Sequence, residues 1–528
     1  MKIKIICVMV LLTAVCAVNG AFAQTPKEDL GKYYTMERIR SKSGWLVSDN
    51  AAGLIFNQAS LSIADVSYDF EKGGLRNVTE GRQINTIGVQ SESYRRWDRL
   101  SFYGKLGYNY ASSSDRSWAG NTDFYTSPMA IGDSIPGNTR NETYLLEAGV
   151  AYQMGKWVIG VQGEYENQSL AKRRDSRNKT TYMHLSVQPG VMFTSRVVDA
   201  GLNFTYKRTT EDVKYDAFGT NTSSGVIYLF EGLWFYTSEQ LEGEFAAGEA
   251  YYKGAAYGGS AQVELKFGDR VKFFNQFSAT YDKMERYRTS QDQLLGDNDR
   301  LTYRYLGVLN VAGHCVDQRL SVDASWGDLL KYNNIQELVV DPVTNQKSYK
   351  QYGRFLKFSQ KQRSVDADYK LYVKRNEWSS SWIVDVAYNY YKTESEYTIA
   401  PARYNQDVHF SKLMLGVTKN FRFDSRNWLD VTARGGYTFG GGNQLEKTCP
   451  EGVQIDNENY RADLLAQEYA FLTNDRLNGE AGLRYTHYFP AKKIGLYVDL
   501  KGRAAWARSG LMDGSRRGGV FAAVGLNF

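Results

Sequence analysis

Apolar and polar residues alternate with period two along almost the whole chain, in segments of about 9 to 14 residues. Trp157, Ile159, Val161, Gly163 and Tyr165 share one face, and Gly160, Gln162, Glu164 and Glu166 share the other. Later, Ile494, Leu496, Val498, Leu500, Gly502, Ala504 and Trp506 oppose Tyr497, Asp499, Lys501 and Arg503. Residues 198–206, 320–326 and 429–439 repeat the rhythm. Successive side chains of a strand point to opposite sides, whereas a helix of period 3.6 would scatter each set around its circumference. The pattern therefore predicts an all-β protein whose strands each carry one apolar and one polar face.

The apolar faces often end in aromatic rings, as at Trp157 and Tyr165, Tyr108 and Tyr110, and Trp382 and Tyr390. Rings collect at both ends of an apolar band where that band meets two membrane interfaces. The mean hydropathy of −0.48 agrees with such a barrel, because polar inner faces and loops average against one lipid-facing stripe. Past the N-terminus no run of about 18 apolar residues occurs, which excludes a helical membrane protein.

The connections alternate in length. Short turns fall near residues 96–98, 155–156, 195–196, 268–270, 313–317, 375–377, 424–427 and 490–493, and longer polar loops near 74–82, 113–141, 171–180, 211–257, 288–299, 329–359, 397–404, 441–476 and 509–516. Short periplasmic turns and long extracellular loops are the asymmetry of outer-membrane barrels. The expectation is a transmembrane antiparallel up-and-down β-barrel of about 18 strands, within a range of about 14 to 18.

Residues 1–23 read as a signal peptide: Lys2 and Lys4, an apolar run from Ile5 to Val18, and Ala21-Phe22-Ala23 as a cleavage site. Residues 24–60 are then a periplasmic segment or plug, and 61–528 the barrel. Cys7 and Cys16 leave with the signal, so Cys315 and Cys449 remain. One is placed in a short turn and the other in a long loop, on opposite sides of a band about 25 Å tall, which forbids a disulfide. The formal net charge of +6 includes the two leader lysines and is too small to imply a nucleic-acid partner.

The last strand sets Val520, Ala522, Val524, Leu526 and Phe528 on one face and ends the chain on Phe528. This resembles the C-terminal signal of bacterial outer-membrane proteins, which implies recognition by the barrel assembly machinery through Val524, Leu526 and Phe528. With signal, strand rhythm and terminal Phe together, the whole mature chain resembles an uncharacterised Bacteroidota outer-membrane β-barrel family. Asn50, Ala51, Ala52, Gly53 and Leu54 are similar to the Asn-Pro-Ala-Gly segment of long-chain fatty-acid transporters, with Ala51 in place of the Pro; that resemblance implies an N-terminal plug. The other reading is an Asn-capped turn entering the first strand.

The polar faces give the candidate lumen: Lys105, Glu164, Asp199, Lys207, Lys272, Asp282, Arg319, Asp323, Asp385, Asp430, Arg434, Glu480, Arg484, Asp499, Lys501 and Arg503. Ionised groups in such numbers need water or mutual pairing. Arg434 and Glu480, and Asp430 and Arg484, fall on the fifteenth and sixteenth strands, where cross-strand pairing would compete with a solute path. His184 and His409 fall near outer strand ends, and His314 and His487 near the turns. No hydrolase, zincin or phosphate-loop motif occurs, and no histidine pair has ligand spacing. The chain is therefore expected to be no enzyme and to carry neither cofactor nor metal. The loop near 211–257 holds Tyr215, Phe218, Tyr228, Phe230, Trp234, Phe235, Tyr236, Phe245, Tyr251 and Tyr252, enough to pack over the mouth, fold inward or meet a partner.

The leading expectation is a porin-like channel or transporter for small polar solutes in the outer membrane. Two alternatives stay open: a scaffold or surface-complex barrel that binds partner proteins through its loops, and a hydrophobic-ligand transporter.

Overall fold

The computed structural model describes residues 35–57, 60–216, 225–241, 249–288, 293–345, 347–375, 379–455 and 458–528. The expected signal peptide of residues 1–23, residues 24–34 and the aromatics Phe218 and Phe245 lie outside them. In chain order the strands are β1 (Leu61–Gly73), β2 (Gln83–Trp97), β3 (Leu100–Arg116), β4 (Ala130–Gly132), β5 (Gly137–Met154), β6 (Trp157–Lys172) and β7 (Arg177–Thr194). Then come β8 (Val198–Asp216), β9 (Val226–Gly232), β10 (Phe235–Gln240), β11 (Glu249–Phe267), β12 (Val271–Arg288), β13 (Gln293–Ala312) and β14 (Val316–Val340). The last are β15 (Lys347–Lys374), β16 (Ser380–Ile399), β17 (Ala402–Arg422), β18 (Asn427–Thr448), β19 (Arg476–Phe489), β20 (Ile494–Ala507) and β21 (Arg516–Asn527). Helix α1 (Met36–Ser41) precedes them, and α2 (Ala462–Thr473) lies between β18 and β19.

Eighteen strands form one antiparallel sheet, each paired with its sequence neighbours, and β1 pairs with β21 to close it. At the seam Ser62 and Phe528 exchange backbone hydrogen bonds of 2.8 and 2.9 Å, so the last residue completes the first strand's ladder. Closure leaves no edge to be satisfied by solvent, which is what a sheet in hydrocarbon requires. The outer face is apolar: Ile159, Leu202, Leu415, Leu500 and Val524 are exposed there, although water would favour covering them. The solvent that suits this face is lipid, and the fold is a transmembrane β-barrel. The polar faces turn inward.

Short turns gather at one end, here the turn end, and longer connections at the other, the loop end. Gly155 and Gly268 adopt φ of 62° and 65° at two tight turns, a conformation that glycine takes without a steric penalty. Cys315 lies in a turn and Cys449 beyond β18 at the loop end; both are free thiols.

Four expected loops have structure of their own. The region 329–359 is no loop: β14 and β15 continue as a ribbon that outruns its neighbours, because Leu338, Val339 and Val340 pair with Tyr349, Ser348 and Lys347. The regions 113–141 and 211–257 contribute β4, β9 and β10, a separate three-stranded sheet. The region 441–476 folds α2, whose Leu464 and Leu465 are buried.

If lipid bathes the outer face, Leu415→Arg destabilises the barrel by about 2–4 kcal/mol even though Leu415 is 57% exposed. On an aqueous surface the same change would be nearly neutral. Urea unfolding from lipid vesicles distinguishes the two.

Candidate functional site

Residues 35–57 lie against the inner wall near the turn end. Their local shape follows from three caps. The Thr35 hydroxyl accepts from Arg38 N at 3.3 Å and starts α1. Ser43 accepts from Trp45 N at 3.2 Å and starts a 3-10 turn over Gly44–Val47. Asn50 Oδ1 accepts from Ala52 N at 3.0 Å and starts another over Ala51–Phe56. The capped turn expected at Asn50 is thus present, and it is also bound to the wall. Asn50 Nδ2 lies 3.2 Å from Val191 O, 3.2 Å from Leu202 O and 3.1 Å from Gln262 Oε1. Glycines on the wall make room: a Cβ at Gly160 would stand 2.5 Å from Ala52 N, and one at Gly190 2.2 Å from Asn50 Oδ1. Trp45, fully buried, packs edge-on to Phe274 at 5.2 Å between centroids.

Helix α1 crosses the lumen. On one side Arg40 pairs with Glu92 of β2. On the opposite wall Arg38 and Lys42 reach Asp317 of β14 at 3.0 and 3.5 Å, where Lys374 also arrives at 3.1 Å. Arg319 donates to the carbonyls of Arg40 and Ser41 at 3.2 and 2.8 Å, capping the helix end where a cation is favourable. Glu37 pairs with Lys370 of β15, and Asp49 with Arg304 of β13 at 3.5 Å. The 3-10 turns fill the sector under β3 and β5–β7 and beside β12 and β13.

Space stays open in a pocket of about 190 Å³ beside Arg40, Asn50, Tyr94 and Glu147, and in a larger cavity of about 280 Å³ between α1 and β15–β20. Of the candidate lumen residues, Asp430, Arg434, Glu480, Arg484, Asp499 and Lys501 meet there. The others face inward elsewhere. Lys105 bonds Glu147 at 2.8 Å, and Asp199 is buried against Lys266 at 2.6 Å. Asp323 takes Arg304 at 2.6 Å, and Arg503 takes Asp69 and Glu71, each at 2.9 Å. Glu164, Lys207 and Asp282 lie within electrostatic reach of one another, as Lys272 does of Glu264.

The expected ladder on β18 and β19 has the right register, Asp430 opposite Arg484 and Arg434 opposite Glu480, but Arg434 turns away. Its guanidinium reaches across β17 to Asp385 at 3.2 Å. Gly416 lies between them in register, and a Cβ there would come within 2.4 Å of Asp385 Oδ1. Sequence reasoning missed Glu37, Arg38, Arg375 and Arg422, which also line the cavity. The signal available for the last two was their place in or beside short turns at the same end, Arg375 in the turn near 375–377 and Arg422 just before that near 424–427. Asn50 to Leu54, by contrast, contact the wall and do not line this cavity.

The loop end is filled too. Asn121 donates to Glu211 at 2.7 Å, Asn298 to Thr126 O at 2.6 Å and Lys331 to Ser127 O at 2.9 Å, tying the β4 loop to three strands. Trp118, Phe124, Phe230 and Trp234 form one aromatic cluster, and Phe235 stacks on Tyr397 at 4.1 Å. Glu468 of α2 accepts from Trp234 Nε1; burial pushes its carboxyl above the ordinary carboxylate range, against the pull of hydrogen bonds to Tyr125 and Trp234. His184 lies near Thr209 and His409 near Asp407, both toward the loops. His314 and His487 lie at the turn end beside Arg270 and Asn427.

The family described as "Family of unknown function (DUF6850)" matches residues 51–528. No curated protein matches. Among solved structures, the ferric preacinetobactin receptor BauA of Acinetobacter baumannii is 9% identical, over 88% of this chain and 80% of that one, with a TM-score of 0.35. The outer membrane transporter YddB of Escherichia coli is 7% identical over 89% and 81%, TM-score 0.37. The toluene transporter TodX of Pseudomonas putida is 12% identical over 94% of each chain, TM-score 0.29. At such scores the barrel assignment rests on this chain's own strand register.

Asn50→Ala removes a cap and a buried amide that bridges to β7, β8 and β11. We expect a loss of about 1–3 kcal/mol in the unfolding of the N-terminal segment, read by denaturant titration of Trp45 fluorescence against the other tryptophans replaced.

Proposed function

The chain belongs to the Family of unknown function (DUF6850), and for it we propose gated passage of small polar solutes across the outer membrane of a Gram-negative cell. The observation that carries this reading is the cavity of about 280 Å³ beside residues 35–57, lined by ten charged side chains. A scaffold needs no interior space, and a hydrophobic-ligand carrier needs an apolar one.

Residues 35–57 act as the plug. Among the described residues none of them joins the sheet ladder; they are held by side chains, chiefly the contacts of Asn50 and the ion pairs of α1. Such a segment can leave the wall without breaking a strand pair. Mixed charge along the wall keeps the vacated lumen wet. In this reading the short turns face the periplasm and the loops the outside, the asymmetry of outer-membrane barrels. Passage involves no bond chemistry.

The projecting ribbon of β14 and β15 favours a second reading, a surface scaffold. Ile335 and Val343 are 56% and 89% exposed on it, and an isolated two-stranded ribbon is marginally stable in water.

Two experiments test this function. In planar bilayers the full chain should be nearly silent and a variant lacking residues 24–57 should conduct in steps; silence from both would overturn the passage reading. On intact cells a membrane-impermeant maleimide should label Cys449, and Cys315 only after the outer membrane is opened. The reverse order would invert the orientation.

A further inference from the structure

The charges around the cavity are not matched one to one. Four of the ions there are spoken for: Arg38 by Asp317, Glu37 by Lys370, Arg434 by Asp385, and Lys501 by Asp499 at 3.5 Å. Three guanidiniums are placed differently. Arg484 stacks on the ring of Tyr497, 3.8 Å from its centroid. Arg375 donates to Asn420 Oδ1 and O at 2.8 and 3.2 Å, and Arg422 to Asp424 O at 3.0 Å. Among the described residues none of the three has a carboxylate within ion-pairing distance. An aromatic face, an amide and main-chain carbonyls fix their positions and leave them, among the described residues, without a direct ion pair.

Asp430 and Asp499 flank Arg484 in register. Asp430 lies within electrostatic reach of Arg484 and Arg375, but it accepts from Asn420 at 2.6 Å. Asp499 is taken by Lys501, and Glu480 lies in register between Arg434 and Arg503. Arg375 and Arg422 are exposed at the turn-end mouth, and Arg484 lies deeper. Cations without a direct ion pair at a mouth raise the local concentration of anions, and a cation with its plane held against a ring keeps a fork of donors set for a carboxylate or phosphate.

We propose that this cavity is a binding site for small anions bearing carboxylate or phosphate groups, with Arg484 as the inner ligand and Arg375 and Arg422 as the entry pair. The inference rests on the passage reading above and names its solute class.

The test is calorimetric titration of the detergent-purified full chain with citrate and, separately, inorganic phosphate, with glucose as the neutral comparison. Saturable binding of at least one anion and none of glucose is expected, weakening with added salt. R484Q should lose about tenfold in affinity or more, and R484K should lie between, since it keeps the charge and loses the fork. Heat-modifiable migration on gels checks that each variant is folded. Should R484Q not fold, R375Q/R422Q, at the exposed mouth, is read in its place with the same expected weakening. Absence of saturable binding for both anions, or an affinity unchanged in the folded variant, overturns the site. Step conductance from the chain lacking residues 24–57 together with no anion binding would remove the anion preference and leave the passage reading standing.

Discussion

Closure of the sheet is the constraint on which everything else depends. A wall in hydrocarbon cannot leave a row of N–H and C=O groups unpaired, since each would cost several kcal/mol. Here the antiparallel ladder runs unbroken from β1 round to β21, and the terminal Phe528 is used in the last pairing with Ser62. Once the ladder is closed, the period-two alternation sorts every wall residue to lipid or to lumen. A one-residue slip in any strand would exchange the two sets, so the apolar band also pins the register.

Inside that wall the materials change. The lumen is crossed by side-chain contacts alone: α1 is strung between Glu92 and Asp317, and Asn50 is held by main-chain carbonyls of β7 and β8. Wall and contents therefore differ in how they can yield. Breaking the wall means breaking a ladder; freeing the segment means exchanging ion pairs and amide contacts for water, which the polar lumen is suited to supply. The apolar anchors, Trp45 against Phe274 and Leu54 against the wall at Gly149, set the stability of the closed arrangement.

Much of the barrel was legible in the sequence because one repeating rule produces it. The strand rhythm, the eight short turns and even the opposition of Asp430 to Arg484 follow from period two and turn residues, whereas the expected loop at 397–404 shrinks to the two residues between β16 and β17. What was not legible depends on contacts between residues far apart in sequence. Arg434 prefers Asp385 to its cross-strand neighbour Glu480 because Gly416 leaves a gap between them. Arg375 read as a turn residue and Arg422 as the end of a strand until the barrel bent them round one cavity. The α2 helix and the β4, β9, β10 sheet lie in aromatic-rich stretches without a long period-two run, and they fold because aromatics such as Trp234 and Phe235 find partners on β16 and α2. The ribbon of β14 and β15 was hidden for a different reason: its exposed, charged alternation resembles a loop when no neighbour supports it.

The central claim is a releasable segment in a wall that does not open. Hydrogen exchange of the full chain in lipid nanodiscs, followed by mass spectrometry, measures this directly. The account predicts that amides of residues 35–57 exchange well before those of β1 and β21, with the wall strands protected together as one unit. Protection of residues 35–57 equal to that of the wall would contradict it.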